Sequence, residues 1–201
     1  MTPAVILAGG RGLRLGGCDK PLLQAGNVTP LEVLLSRLRP QVSMTALSVR
    51  PDQLAYRELG HHLLLDHHSD EGPLTGVLSA MEWAMEIGAS QVLTVPGDTP
   101  FIPLDLVERL LPGPSCAVSV QHVHPLIALW PVSSAQALSR YLSEARLSGD
   151  RRRFAVRPFA DQITTQHVVF PVAGEDPFFN INRPEDVQHF EDCVATDFPL
   201  T

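Results

Sequence analysis

Short apolar runs alternate with amphipathic helical segments along most of the chain, and this alternation is the feature that most limits its fold. The run Ala4–Leu7 and the run at residues 91–95 have the length and composition of buried strands. After Thr29, leucines recur with helical spacing at positions 31, 34, 35 and 38. Strands that alternate with helices predict an α/β protein with a mostly parallel sheet covered on both faces.

The same periodicities predict the later elements. We expect a helix whose buried face carries Leu78, Met81 and Met85, and two strands at 116–120 and 126–130 with a connection between them. Ligands of such sheets bind outside the carboxyl ends of the strands. The residues that directly follow strands are therefore the first candidates for a functional site.

Composition excludes several classes of protein. The 201 residues carry a formal net charge of −7, which disfavours a nucleic-acid partner. No stretch approaches the roughly 20 apolar residues of a membrane span, and the first apolar run lacks the basic residues of a signal peptide. Cys18, Cys116 and Cys193 are widely spaced, which indicates neither a disulfide framework nor a Cys-rich zinc site. We expect one cytoplasmic domain that spans residues 1–201 and interacts with neither a membrane nor nucleic acid.

A glycine-rich basic loop follows the first strand and ends at Lys20, the only lysine of the chain. Glycines let backbone amides approach a ligand, and a lysine places a compact charge on a phosphate. Leu15 excludes a dinucleotide fingerprint and Cys18 excludes a Walker A loop. The stretch favours a polyphosphate ligand, with a flexible charged loop as the alternative. The loop's glycines and its other basic residues are Gly9, Gly10, Arg11, Gly12, Arg14, Gly16 and Gly17.

Asp98 directly follows a hydrophobic strand and lies in a loop between two prolines. A carboxylate at the end of a strand is suited to hold Mg²⁺ beside a nucleotide. The alternative is an Asx turn, in which Asp98 bonds only its own loop.

Two polar stretches near the C-terminal end are further candidates. Asn182 has the position of a helix N-cap, with Glu185 completing a capping box and the helix running through Phe190, so Asn180 is the better functional candidate of the two asparagines. Arg151 and Arg152 begin a basic stretch that is typical either of a phosphate-binding segment or of a solvated helix face.

Taken together, five ordered stretches resemble the MobA-type molybdenum cofactor guanylyltransferases, a family of nucleotidyltransferases. The matching stretches are distributed from residue 5 to about residue 188, which is nearly the whole chain. They are residues 7–22 (LAGG…RLGG…DKPL), 72–76 (GPLTG), 96–100 (PGDTP), 124–129 (HPLIAL) and 180–182 (NIN).

The resemblance implies a Rossmann-like three-layer α/β/α sandwich with a nucleotide-binding half at about 1–111 and an acceptor-binding half at about 112–201. It implies transfer of GMP from MgGTP to molybdenum–molybdopterin with release of pyrophosphate, and transient contact with molybdoenzymes or cofactor-insertion proteins. Mg²⁺ on Asp98 is the implied cofactor.

The resemblance also implies roles for individual residues. Lys20, Asp98 and Arg14 are the implied catalytic residues. The implied nucleotide-binding residues are Leu7, Ala8, Gly9, Gly10, Lys20, Ser48, Asp66, Gly72, Gly76 and Asp98. The implied acceptor-binding residues are Asn180 and Asn182, to which the basic stretch adds Arg151 and Arg152.

One departure from the family pattern keeps alternatives open. Ser48 stands where the family often has an asparagine near the base, after the second strand. A cytidylyltransferase for molybdopterin and a sugar-phosphate nucleotidyltransferase are therefore the alternatives within the enzymes. A non-catalytic nucleotide-binding module that delivers the cofactor is the alternative outside them.

Overall fold

A computed structural model describes residues 2–10, 12, 16–68, 71–120, 122–172 and 174–197. Within these residues, seven strands form one sheet in the order β3-β2-β1-β4-β6-β5-β7. The strands are β1 (Ala4–Leu7), β2 (Thr45–Val49), β3 (His62–Leu65), β4 (Gln91–Pro96), β5 (Ser115–Ser119), β6 (His122–Pro131) and β7 (Gln166–Phe170). Only β6 runs antiparallel to its neighbours, so the predicted mostly parallel sheet is confirmed.

Helices cover both faces of this sheet. One face packs against α1 (Pro30–Leu38) and α3 (Leu106–Leu110), and the other against α2 (Leu74–Glu86), α4 (Ala135–Ser148) and α5 (Val156–Gln162). In β1 the buried side chains alternate, with Ile6 facing the first layer and Val5 the second. The last helix, α6 (Pro184–Asp197), packs its Phe190 beside α1 in a smaller cluster. The three-layer α/β/α sandwich is confirmed.

The N-terminal end of α1 shows how local sequence sets these boundaries. The backbone amide of Glu32 donates to the Thr29 hydroxyl, and the Glu32 carboxylate accepts from the Thr29 amide at 2.7 Å. Pro30 occupies the first turn, where its missing N–H has no helical partner to lose. The predicted leucine face is buried throughout.

Two of the predicted elements are wrong in detail. The buried face of α2 carries Leu74, Val77 and Met81, while Met85 is 54% exposed. The helix is largely apolar and so has several apolar stripes, of which only one packs against the sheet. The residues expected to connect two strands belong to β6 itself. Pro125 is accommodated there because the β5–β6 register shifts between Cys116 and Ala117, so no ladder bond is required of it.

None of the helices in the described part of the chain is long and apolar enough to cross a membrane.

Candidate active site

A cavity of about 520 Å³ opens at the carboxyl ends of the parallel strands. This volume lies in the range of small-molecule sites. Residues of both halves of the chain line it, so the sheet brings the two predicted halves to one place. The lining residues are Leu7, Ala8, Gly9, Gly10, Gly12, Lys20, Pro21, Ser48, Asp66, Gly72, Pro73, Gly76, Pro96, Asp98, Leu126, Asn180 and Asn182.

The charged centre of the cavity is Lys20. Its Nζ lies 3.0 Å from Oδ2 of Asp98 and 2.6 Å from Oδ1 of Asn182. The Lys20 and Asp98 side chains are 17% and 22% exposed, so the pair is open to a ligand without being fully solvated. The structure thus brings together a cation, a carboxylate and an amide from three distant parts of the sequence.

Asn182 does not cap the last helix, which corrects the capping-box prediction. The helix begins at Pro184, and the Asp186 carboxylate accepts from the backbone amides of Asn182 and Arg183 at 2.7 Å each. Because Asp186 satisfies these amides, the Asn182 side chain can contact Lys20. The helix also extends beyond the expected end at Phe190, to Asp197.

Asn180 anchors its segment to the loop that carries Asp98. Its Oδ1 accepts a hydrogen bond from the hydroxyl of the fully buried Thr99, and the amide of Ile181 donates to the Asp98 carbonyl at 3.0 Å. The two loops therefore form one unit that fixes Asn182 beside Asp98.

A partly buried polar network links the residues just before this segment to β5 and β6. The Ser119 hydroxyl donates to Oδ2 of Asp176 at 2.7 Å, and its oxygen lies 2.8 Å from Nε2 of His124. Since the Ser119 proton points to Asp176, His124 Nε2–H donates to Ser119. Asp176 also accepts from the Phe178 amide at 2.9 Å. Burial lowers the pKa of His124, which favours the neutral imidazole.

The first glycines of the loop are held by Arg50, which lies in the turn directly after β2 and so among the first candidates, although its sequence position predicted no specific role. Arg50 Nη1 donates to the carbonyls of Gly9 and Gly10 at 2.8 Å each. Gln53, which the sequence did not single out, is buried, and its Nε2 donates to the Ala8 carbonyl at 3.0 Å and to Oδ1 of Asp19 at 2.5 Å. With their carbonyls engaged on the Arg50 side, these glycines lie in a fixed conformation beside the cavity. The sequence signal for Arg50 is its charge at the position directly after a strand.

Later in the same loop, Gly12 and Cys18 approach too closely for a side chain. Gly12 has a φ of +55°, and a Cβ on it would overlap the carbonyl oxygen of Cys18. A non-glycine residue at this position would therefore force the loop to open.

The opposite wall of the cavity carries Ser48 and Asp66. Ser48 is the fourth residue of β2, so it lies within the strand, and not after it as expected. Asp66 follows β3 and is 6% exposed. Its Oδ2 accepts from the Thr75 hydroxyl at 2.8 Å and its Oδ1 from the His68 amide at 3.0 Å. Gly76 lies beside both residues: a Cβ on it would be 3.1 Å from Ser48 Oγ and 3.8 Å from Asp66 Oδ2.

Two of the predicted site residues that the structure describes, Arg151 and Arg152, do not line the cavity. Arg14 lies outside the described residues. Arg151 and Arg152 are exposed and begin a short 3-10 helix that ends at Phe154. The carbonyl of Phe154 lies 3.1 Å from the position of a Cβ on Gly72, so this basic segment adjoins the rim of the cavity. The roles of the three arginines stay predictions.

Comparisons with known proteins show the family of the chain. Residues 4–162 match the MobA-like NTP transferase domain family. A molybdenum cofactor guanylyltransferase of Acidiphilium cryptum is 42% identical over 192 residues, which cover 94% of this chain and 93% of that protein. One of Cereibacter sphaeroides is 40% identical over 199 residues, which cover 96% and 97%.

Solved structures show the same fold. Molybdopterin-guanine dinucleotide biosynthesis protein A from Archaeoglobus fulgidus has a TM-score of 0.69 at 23% identity, covering 98% of this chain and 100% of that one. A nucleotidyl transferase from Methanothermobacter thermautotroptrophicus has a TM-score of 0.70 at 18% identity, covering 98% of both chains. The chain therefore belongs to the MobA-like NTP transferase family and, within it, to the molybdenum cofactor guanylyltransferases, which are nucleotidyltransferases.

Proposed function

We propose that this enzyme transfers GMP from MgGTP to the terminal phosphate of molybdenum–molybdopterin and releases pyrophosphate. The observation that carries the proposal is the contact of Lys20 with Asp98 and Asn182 inside a cavity lined by both halves of the chain. The names of the relatives at about 40% identity support the choice of substrates.

The reaction needs charge neutralisation more than proton transfer. An oxygen of the acceptor phosphate attacks the α-phosphorus of GTP, a new P–O bond forms, and the bond to the β-phosphate oxygen breaks. The electron pair leaves with pyrophosphate. Because the nucleophile is already an anionic oxygen, we assign no general base, and positioning together with electrostatic stabilisation accounts for the catalysis.

In this proposal Lys20 binds the phosphates of the nucleotide. Its compact ammonium lies at the bottom of the glycine-rich loop, whose backbone amides provide further donors. Asp98 and Asn182 orient the ammonium before the nucleotide binds. Arg14 completes the set of catalytic residues in this proposal.

The residues around Asp98 fit a magnesium ion. Mg²⁺ prefers oxygen ligands and commonly takes one or two carboxylates together with substrate phosphates. Asp98 offers a carboxylate oxygen and Asn182 an amide oxygen, and both already face one cation, the Lys20 ammonium. When bound, Mg²⁺ neutralises the charge on the phosphates and on the departing pyrophosphate.

We place the nucleotide against residues 1–111 and the acceptor against residues 112–201. Leu7, Ala8, Gly9 and Gly10 contact the nucleotide in this arrangement, with Ser48 and Asp66 near its base or ribose. Asn180, Asn182 and the rim arginines Arg151 and Arg152 serve the acceptor. We place the reaction in the cytoplasm, followed by transient contact with a molybdoenzyme or cofactor-insertion protein.

Cytidylyl transfer is the second candidate. Ser48 is shorter than asparagine and lines the cavity on the side of Asp66, so it offers one hydroxyl where the family pattern has an amide. In this proposal the cavity wall with Ser48 and Asp66 determines whether the enzyme binds a guanine or a cytosine nucleotide.

The test is pyrophosphate release with Mg²⁺ and molybdenum–molybdopterin, run in parallel with GTP and with CTP. We expect release with GTP and at least tenfold less with CTP at equal concentrations. The matched control omits the acceptor, because simple hydrolysis of GTP would release phosphate or pyrophosphate without it.

Release with CTP alone would move the activity to cytidylyl transfer and leave the roles of Lys20 and Asp98 in place. No release with either nucleotide would contradict the proposal and favour another phosphorylated acceptor or a binding module.

A further inference from the structure

We propose that Glu175, His189 and Cys193 form a zinc-binding site that is separate from the active site. Among the described residues, these three side chains bring their ligand atoms within 4.8 Å of one another. None of the three lines the cavity that holds Lys20 and Asp98. The inference does not depend on the proposed guanylyl transfer.

The distances between the ligand atoms fit a single metal ion. Oε2 of Glu175 lies 3.0 Å from Nε2 of His189 and 3.4 Å from Sγ of Cys193, and that Sγ lies 3.7 Å from Nε2. Zinc binds oxygen, nitrogen and sulfur at about 2.0–2.3 Å, which in a tetrahedron separates the ligand atoms by roughly 3.3–3.6 Å. Shifts of a few tenths of an ångström would place all three around one ion.

The way the three groups meet argues against an activated thiol. In a nucleophile activated by histidine, the thiol uses one ring nitrogen and the carboxylate holds the other. Here both Glu175 and Cys193 face the same nitrogen, Nε2 of His189. Three ligand atoms that face one common point have the arrangement of a metal site.

The fold holds the ligands in place before an ion binds. His189 and Cys193 lie four residues apart on α6, so they share one face of the helix. The ring of Phe179 packs edge-on against that of His189 with centroids 4.8 Å apart, which restricts the imidazole. Glu175 and His189 are 59% and 37% exposed, so an ion can reach them from solvent and a water can complete the coordination.

The choice of zinc follows from the donors. A thiolate and an imidazole favour zinc over magnesium or calcium, which prefer oxygen ligands only. Glu175 precedes the segment that carries Asn180 and Asn182, whereas the other two ligands belong to α6. A bound ion would therefore tie the acceptor-side segment to the last helix.

The test uses the full chain without an affinity tag, reduced and freed of metal with a chelator. Zinc chloride is titrated calorimetrically, and cobalt chloride is titrated while the near-ultraviolet thiolate-to-cobalt absorption is recorded. We expect one equivalent of each metal and the thiolate band in the unmodified protein. Zinc should also raise its Tm, since the folded state holds the ligands together.

The variants are Cys193→Ser and His189→Gln, with Cys18→Ser as the matched control. We expect both variants to bind zinc at least tenfold more weakly, and Cys193→Ser to lack the thiolate-to-cobalt band. The control should keep the zinc affinity and the band of the unmodified protein. The affected side chains are only half-buried, so circular dichroism should show folded variants. Equal zinc affinity in Cys193→Ser, a thiolate band lost in Cys18→Ser, or no binding by the unmodified protein would overturn the proposal.

Discussion

Lys20 Nζ lies 2.6 Å from Oδ1 of Asn182, although the two residues are 162 positions apart in the chain. The contact joins the glycine-rich loop of the predicted nucleotide-binding half to the segment before α6. It also brings both residues into one polar cluster, because the ammonium that donates to this amide oxygen contacts the Asp98 carboxylate as well.

Replacing Lys20 tests its role as a phosphate ligand. We expect Lys20→Met to remain folded and to lower kcat/KM at least tenfold, which corresponds to about 1.4 kcal/mol of barrier. Lys20→Arg should not restore the rate, because a planar guanidinium cannot replace a compact ammonium between two oxygens. Steady-state kinetics of pyrophosphate release would measure both, and an unimpaired Lys20→Met would contradict the assignment.

Variants of Asn182 and Asp186 distinguish the proposed contact with Lys20 from the capping of α6. We expect Asn182→Ala to lower the transfer rate severalfold and to leave the unfolding free energy nearly unchanged, since its side chain caps nothing. Asp186→Ala should lower the unfolding free energy by about 0.5–2 kcal/mol, because the amides it accepts from lose their partner. Urea denaturation checks both values. A comparable stability loss in Asn182→Ala would restore the capping interpretation.

Arg50 is expected to affect nucleotide binding through the loop it holds. Arg50→Lys cannot reproduce the paired contacts to the Gly9 and Gly10 carbonyls together with the bond to Asp52. We expect KM for the nucleotide to rise at least threefold, with a smaller change in kcat. The exposed Arg57, in the 3-10 helix Leu54–Leu59, provides the matched control Arg57→Lys, which should leave KM unchanged. Equal effects of the two variants would refute a role in loop positioning.

Gly76 keeps the wall between Leu7 and Ser48 open. A Cβ at this position would lie 3.1 Å from Leu7 Cδ2 and from Ser48 Oγ, so Gly76→Ala must displace one of them. We expect weaker nucleotide binding, by about threefold to tenfold, measured calorimetrically. Helix propensity favours alanine over glycine by about 1 kcal/mol, so the Tm should fall little or rise. Glu82→Ala, on the exposed side of α2, is the control and should bind nucleotide normally; unchanged affinity in Gly76→Ala would contradict the proposed wall.

His124 gives the stability a dependence on pH. Burial lowers the pKa of His124 in the folded protein below the ordinary value of 6.5, which the unfolded chain keeps. At a pH between the folded and the unfolded pKa, the unfolded chain therefore binds more protons than the folded one. Stability is therefore lost as the pH falls below 6.5. We expect the unfolding free energy of His124→Gln to change less between pH 7 and pH 5 than that of the unmodified protein. Urea denaturation at both pH values tests this, and parallel curves for the two proteins would exclude His124 as the cause.

The sequence predicts the sheet and its functional edge because their signals are local. The strands β1, β3 and β4 end where an apolar run gives way to glycine or aspartate, so Gly9, Asp66 and Asp98 are predicted to lie at one edge of the sheet. The capping box at Thr29 is local in the same way, since both partners lie within one turn.

Features that depend on distant contacts could not be predicted. Asn182 has a position that capping explains locally, and only tertiary structure brings Lys20 to it. Arg50 reaches back 40 and 41 residues to glycine carbonyls, for which no spacing rule exists. His189 and Cys193 have a helical spacing that the sequence does show, but Glu175 joins them only through the fold.

The central claim is that the cavity around Lys20 and Asp98 transfers a guanylyl group. The most direct measurement is a reaction of the unmodified protein with Mg²⁺, molybdenum–molybdopterin and GTP labelled at the α-phosphate, with the products separated chromatographically. The account predicts that the label appears in a pterin–guanine dinucleotide in an amount equal to the pyrophosphate released. Label that remains in GTP, or that appears only as free GMP, would contradict it.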